Sequence, residues 1–298
     1  MRSNQTRREF IRNLSLAAGV AAFPGTLFSA CNAKSGSKMK LGLVTYLWAK
    51  DWDVSTIIKN CTATNILGVE LRVDHAHGVG LDLSKSQREA VKKQFADSPV
   101  EILGMGTNEA YHYAEPERLQ QAIENTKKWL QLSKDVGGTG IKVKPNALPK
   151  EVTKEKTLEQ IGTALNELGK YALDLGQVIR LEVHGHQTQQ LPNIKTIMDY
   201  VDNKGTAVCW NCNKQDLDGK GLVSNFNLVK DRFGDTCHVR EMNVGSYPYQ
   251  QLMDLFVKID YKGWILLECR TKPNDIVAAL HEQHEVWSEM IRKAQAKL

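Results

Sequence analysis

Val178-Ile-Arg-Leu-Glu182-Val-His184 is a short apolar stretch with a carboxylate and an imidazole at its carboxyl end. Ala207-Val-Cys-Trp-Asn211, His238-Val-Arg-Glu-Met242 and Trp264-Ile-Leu-Leu-Glu268 share its make-up. Each reads as a buried strand, and helix-patterned segments separate them. A carboxylate at the end of a buried strand is costly unless something pairs with it. Glu182, Asn211, His238 and Glu268 together offer O, O, N and O donors, a set that suits a hard or borderline divalent cation. Strand ends this far apart in sequence meet at one point in a parallel barrel.

The alternation continues outward from these stretches. Strand-like runs lie at 39–48, 66–74, 100–106, 139–145, 178–184, 206–211, 237–244 and 263–269. Helix-patterned segments fill 53–65, 84–97, 115–136, 153–175, 192–203, 223–233, 248–259 and 273–296. The segment 115–136 opens on Pro116, repeats Leu119, Ile123, Leu130 and Leu132 with helical character, and stops at Gly137-Gly138. The segment 153–175 ends at Gly176 in the same way. Eight such units in about 260 residues is the arithmetic of a (β/α)8 TIM barrel. A doubly wound open sheet is the competitor, but no Gly-rich phosphate turn follows the first strand.

The first thirty of the 298 residues follow a different rule. Thr6-Arg7-Arg8-Glu9-Phe10-Ile11-Arg12 matches a twin-arginine export signal, and an uncharged run from Asn13 to Ala30 follows it. Phe28-Ser29-Ala30-Cys31 resembles a lipoprotein cleavage box. The expected organisation is therefore a signal over 1–30, a lipidated Cys31 heading a flexible tether over 31–38, and one catalytic barrel over 39–298. Pro24-Gly25 breaks the apolar run, which is short against the ~20 residues of a membrane span. The expected location is the periplasm of a bacterium or its membrane, reached only through the lipid anchor. Residues 1–30 hold four of the 39 basic residues and one of the 34 acidic ones, which leaves 35 against 33, a net +2. With no basic stripe interleaved with aromatics, nucleic acid is not an expected partner.

Five cysteines follow Cys31: Cys61, Cys209, Cys212, Cys237 and Cys269. An odd set lying mostly in strands reads as buried free thiols rather than a disulfide framework.

Several of these stretches carry a resemblance: Gly68-Val69-Glu70-Leu71-Arg72, Glu182-Val-His184, Trp210-Asn211, His238-Val-Arg240 and Gly263-Trp-Ile-Leu-Leu-Glu268. Over about residues 39–295 the chain resembles the xylose isomerase-like TIM barrels, in particular the sugar phosphate isomerase/epimerase group. The resemblance implies that Glu182 and Glu268 both ligate a divalent ion and act as acid and base on the two faces of an enediolate. Asn211 stands where the family usually has Asp. The ligand set then carries −2 rather than −3, so it should hold the ion less tightly. The imidazole favours Mn²⁺ over Mg²⁺, with Co²⁺ and Zn²⁺ also compatible.

Strand alternation sorts the remaining polar residues. Glu182 and His184 share a face, as do His238, Arg240 and Met242, and Glu268 and Arg270. Lys142 and Lys144 alternate with Ile141 and Val143, so both ammonium groups point into the barrel, where a lysine is rare unless paired or functional. Lys142, Lys144, His184, Arg240, Glu70 and Arg270 are thus the candidate substrate-binding residues; the deeper lysine is a candidate partner of Glu70, and the plain structural alternative for Glu182 and Glu268 is a pair of core carboxylates salt-bridged to Lys142 or Arg240. Trp48, Trp52, Tyr111, His112 and Tyr113 are placed on the loops that rim the mouth.

The expected activity is proton transfer next to a carbonyl on a small carbohydrate. Isomerisation or epimerisation of an unphosphorylated sugar comes first, because sugar phosphates are scarce outside the cytoplasm. Lyase or hydrolase action on 3-keto-glycosides would use the same core. A lipid-anchored sugar-binding protein without catalysis is the reading from another class, and assembly into a homo-oligomer stays open.

Overall fold

A computed structural model describes residues 37–298. The twin-arginine segment, Cys31 and the tether up to residue 36 lie outside the described residues. The strands are β1 (Lys40–Val44), β2 (Gly68–Arg72), β3 (Glu101–Ala110), β4 (Gly140–Lys144), β5 (Val178–Glu182), β6 (Thr206–Cys209), β7 (Thr236–Val239) and β8 (Trp264–Leu267). The helices between and after them are α1 (Val54–Ala63), α2 (Lys85–Ala96), α3 (Pro116–Asp135), α4 (Lys154–Asp174), α5 (Leu191–Asp199), α6 (Leu222–Val229), α7 (Tyr249–Lys258) and α8 (Ile276–Gln295).

Their ends follow from local chemistry. Pro116 starts α3, and the Thr153 hydroxyl caps α4 by accepting from the Lys156 amide. Both helices stop at a glycine with positive φ, Gly137 at +90° and Gly176 at +68°.

All strands pair in parallel, in the order β6-β5-β4-β3-β2-β1-β8-β7. The remaining seam, between β6 and β7, is joined by the isolated bridges Val208↔Phe233 and Asn211↔His238. The fold is the TIM barrel that the alternation implied. Strand β3 runs to Ala110 rather than 106 and changes register against β4 after Gly106. That shift carries Thr107 and Asn108 over the mouth.

Outward-facing Ile141, Val143, Ile179, Leu181 and Val239 are fully buried under the helices. Inside, Val44, Leu103, Trp264 and Leu266 form an inner cluster. Beside it the buried Arg180 guanidinium donates to Asp235 at 2.7 and 2.8 Å, to the Leu103 carbonyl at 2.8 Å and to the Thr139 hydroxyl at 2.7 Å. Gly140 leaves its room: a Cβ there would sit 3.0 Å from the guanidinium and 2.2 Å from the Val178 carbonyl oxygen. The barrel is thus plugged below its mouth, and chemistry is confined to the carboxyl end. The five described cysteines are all free and buried. No helix among the described residues is long and apolar enough to cross a membrane.

Candidate active site

Four strand ends deliver Glu182, Asn211, His238 and Glu268 to the barrel axis, and each is at most 6% exposed. One ligand atom each from Glu182, His238 and Glu268 lies within 4.8 Å of the others. His238 Nδ1 is 3.8 Å from Glu182 Oε1 and 4.0 Å from Glu268 Oε1, and it has no hydrogen-bond partner. His238 Nε2 faces Glu70 Oε2 at 3.4 Å. A carboxylate behind an imidazole fixes which nitrogen carries the proton and leaves the other free to ligate. This donor set fits a divalent cation. Its buried carboxylates converge on an unpartnered nitrogen, an arrangement that a cation between them would bridge.

The two glutamates differ in their surroundings. Glu182 Oε2 sits 2.8 Å from Lys142 Nζ, both groups being about 1% exposed, and Oε1 accepts from Asn211 Nδ2 at 2.9 Å. Burial alone would raise its pKa, but the Lys142 ammonium and the neighbouring His238 hold it well below the ordinary carboxylate value. Among the described residues the Glu268 carboxylate accepts a hydrogen bond only from Arg270, whose Nη2 lies 3.4 Å from Oε2. Glu70 is likewise held below its ordinary value, because His238 and Lys142 outweigh its burial.

Asn211 enters the site as a donor to Glu182. To offer an oxygen to a cation the amide must turn over, exchanging two atoms of almost equal size. The bond to Glu182 would then be lost.

Lys142 also reaches the Thr107 carbonyl at 3.3 Å. Its partner is Glu182 and not Glu70, because Glu70 turns toward His238 on the opposite side of the axis. Lys144 is half-buried and bonds Asn108 Oδ1 at 3.1 Å. Burial, followed by the charge of Lys142, pushes its pKa down to about 8. His184 has an unpartnered buried Nδ1, and burial lowers its pKa, which leaves a neutral ring at the edge of the site.

Two further expectations need correction. Arg240 and Met242 do not continue the inward face of His238, because β7 ends at Val239 and the alternation ends with it. Met242 packs into the outer core, its amide donating to Gln283 of α8, while Arg240 lines a side cavity with Tyr247 and Tyr249. Tyr111 is fully buried, with its hydroxyl 2.8 Å from that of Thr126 in α3, so it belongs to the barrel wall and not to the rim. Trp48 does sit on the rim loop after β1, buried there as packing, its indole N–H donating to the Thr271 carbonyl to tie that loop to the β8 loop.

Sequence reading missed Asn108 and Thr107, which the β3 register shift delivers. It also missed Asp216, buried in the turn Lys214–Leu217, accepting from the Tyr247 hydroxyl at 2.6 Å, with a pKa that burial pushes up to about 7. No periodic signal marks a loop carboxylate of this kind.

The model of the family described as xylose isomerase-like TIM barrels matches residues 58–294. No curated protein matches the chain in sequence. Among solved structures, an L-ribulose 3-epimerase aligns with a TM-score of 0.74 at 12% identity, covering 87% of this chain and 96% of its own. A 3-keto-D-glucoside 4-epimerase from E. coli aligns at 0.71 and 15% identity, covering 84% and 99%. The IolI protein, described with a bound zinc atom, aligns at 0.72 and 13%, covering 86% and 99%. At these identities the likeness is one of fold.

Proposed function

The chain belongs to the xylose isomerase-like TIM barrel family, and from that premise we propose that it is a divalent-metal-dependent enzyme that moves a proton next to a carbonyl of a sugar. The observation that carries the proposal is the unpartnered His238 Nδ1 facing two buried glutamates of unequal surroundings. Glu182, His238, Glu268 and, after amide rotation, Asn211 would hold the ion. When bound, such an ion stabilises the negative charge of an enediolate by several kcal/mol.

The chain's own groups divide the remaining work. Glu268, uncommitted except for the long contact to Arg270, takes the proton from the carbon. Glu182, whose charge is held by Lys142, ligates and handles proton transfer on the opposite face. Lys144 and neutral His184 orient the sugar hydroxyls. Isomerisation or epimerisation is the reading this arrangement supports best. The epimerases that share the fold, named for ribulose and a keto-glucoside, agree with it. Mn²⁺ is the ion we favour, since one imidazole joins oxygen donors.

His238→Ala should lower bound metal sharply without unfolding the barrel, because the site lies above the packed inner cluster. Metal content by mass spectrometry, with circular dichroism alongside, reads this directly, and full occupancy in the variant would remove His238 as a ligand. Asn211→Asp should tighten binding by restoring the third negative charge.

We also propose that the chain is exported, through Arg7-Arg8, and anchored by a lipid on Cys31. Replacing Arg7-Arg8 by Lys-Lys should trap the uncleaved precursor in the cytosol. Recovery of intact Met1 on membrane-bound wild-type protein would contradict cleavage.

A further inference from the structure

A cavity of about 460 Å³ opens beside the glutamate–histidine cluster, between the loops that follow β6, β7 and β8. It shares Arg270 with the cluster, through the 3.4 Å contact to Glu268. Lys214, Arg240 and Arg270 bring three cations to its wall.

These three cations outnumber the single carboxylate, Glu241, among the lining residues. Glu241 Oε1 accepts from the Arg270 amide at 2.9 Å and from the Thr271 amide and hydroxyl at 2.6 Å each. Asp216 lies behind the wall, with Oδ2 taken by the Tyr247 hydroxyl and the Asn213 amide.

The cations, by contrast, are free. Arg240 makes no ion pair among the described residues, and its Nε is buried without a hydrogen-bond partner. Among the described residues the Arg270 side chain has only the long contact to Glu268 and a place 5.9 Å from the Tyr46 ring centre. A buried guanidinium N–H without an acceptor costs free energy, and an oxyanion is its best-matched partner, since the guanidinium fork accepts two oxygens at once.

We propose that this cavity receives an oxyanion carried by the carbohydrate, so that the substrates are acidic sugars rather than neutral ones. The inference rests on the proposed proton-transfer reading only for where the rest of the sugar lies. Arg270 bridges the two compartments: its Nη2 meets Glu268, and the residue also lines the cavity. Tyr247 and Tyr249, with ring centres 4.8 Å apart, line the cavity beside the cations. The carboxylate of a uronate and the phosphate of a sugar ester share the required chemistry.

Calorimetric titration of the full chain, without metal and then with Mn²⁺, distinguishes these cases with three probes: glucuronate, glucose 6-phosphate and methyl glucoside. At least one anionic probe should bind tenfold or more tightly than methyl glucoside even without metal, and which one does so identifies carboxylate or phosphate. Arg240→Gln should remove most of that preference while leaving metal content unchanged. Arg270→Gln, at an exposed position where folding is not at stake, should do the same. Equal affinity for all three probes in the wild type would overturn the proposal, as would an unchanged preference in both variants. Because the metal-free titration reads no proton transfer, an anion preference without solvent exchange would defeat the proposed reaction and leave this site standing.

Discussion

Glu268→Gln should lower turnover of a keto sugar by about 10² to 10⁴, the usual worth of a positioned acid–base group, while bound metal stays measurable. The amide keeps an oxygen for the ion but accepts no proton. Glu182→Gln should also lose turnover, by a comparable factor, but with an added loss of metal. Its carboxylate is bound on both oxygens, by Lys142 and Asn211, and an amide in that place breaks the ion pair and weakens the ligand. Steady-state kinetics with metal content measured on the same samples separates the two effects. Full activity in either variant would remove that residue from the mechanism.

The second large effect is on stability. Lys142→Met leaves the Glu182 carboxylate buried without its cation, and breaking a buried pair in this way costs about 3–5 kcal/mol. Added divalent metal should restore much of that loss, since it supplies positive charge at the same oxygens, by ordinary linkage of binding to folding. The pH dependence should reverse as well. In the wild type the Glu182 pKa is depressed below its ordinary 4.5, so its contribution is present above that value and fades as pH falls through the folded pKa. In the variant, burial without the ammonium raises the pKa, so stability should fall as pH climbs above 4.5. Urea unfolding across that range, with and without Mn²⁺, checks both signs. A variant as stable as the wild type at neutral pH without metal would show that Lys142 does not hold Glu182 in place.

The barrel was legible because its signals are periodic. Alternation along Gly140–Lys144 placed Lys142 inside and Ile141 outside, and Pro116, Gly137 and Gly176 marked helix ends. The convergence of Glu182, Asn211, His238 and Glu268 followed from counting strands. The sequence could not show which partners these groups choose, because that depends on distances across the axis. Lys142 goes to Glu182 because Glu70 turns to His238. The amide of Asn211 donates to Glu182 where a ligand oxygen was expected. Arg240 escaped the parity rule because the strand beneath it had already ended. Arg180 shares the inward face of Glu182, yet its role emerged only with Asp235, far away in sequence, at 2.7 Å.

The most direct test of the central claim is solvent exchange. Metal-loaded full-length protein, incubated in deuterated water with keto sugars and 3-keto-glycosides, should exchange the proton next to the carbonyl, as read by NMR, even where product forms slowly. A lyase or hydrolase acting on the glycosides would show the same exchange, since it begins with the same proton loss. Exchange should disappear in Glu268→Gln. Protein that carries its divalent ion yet exchanges no proton of any such substrate would contradict the account and leave a sugar-binding protein in its place.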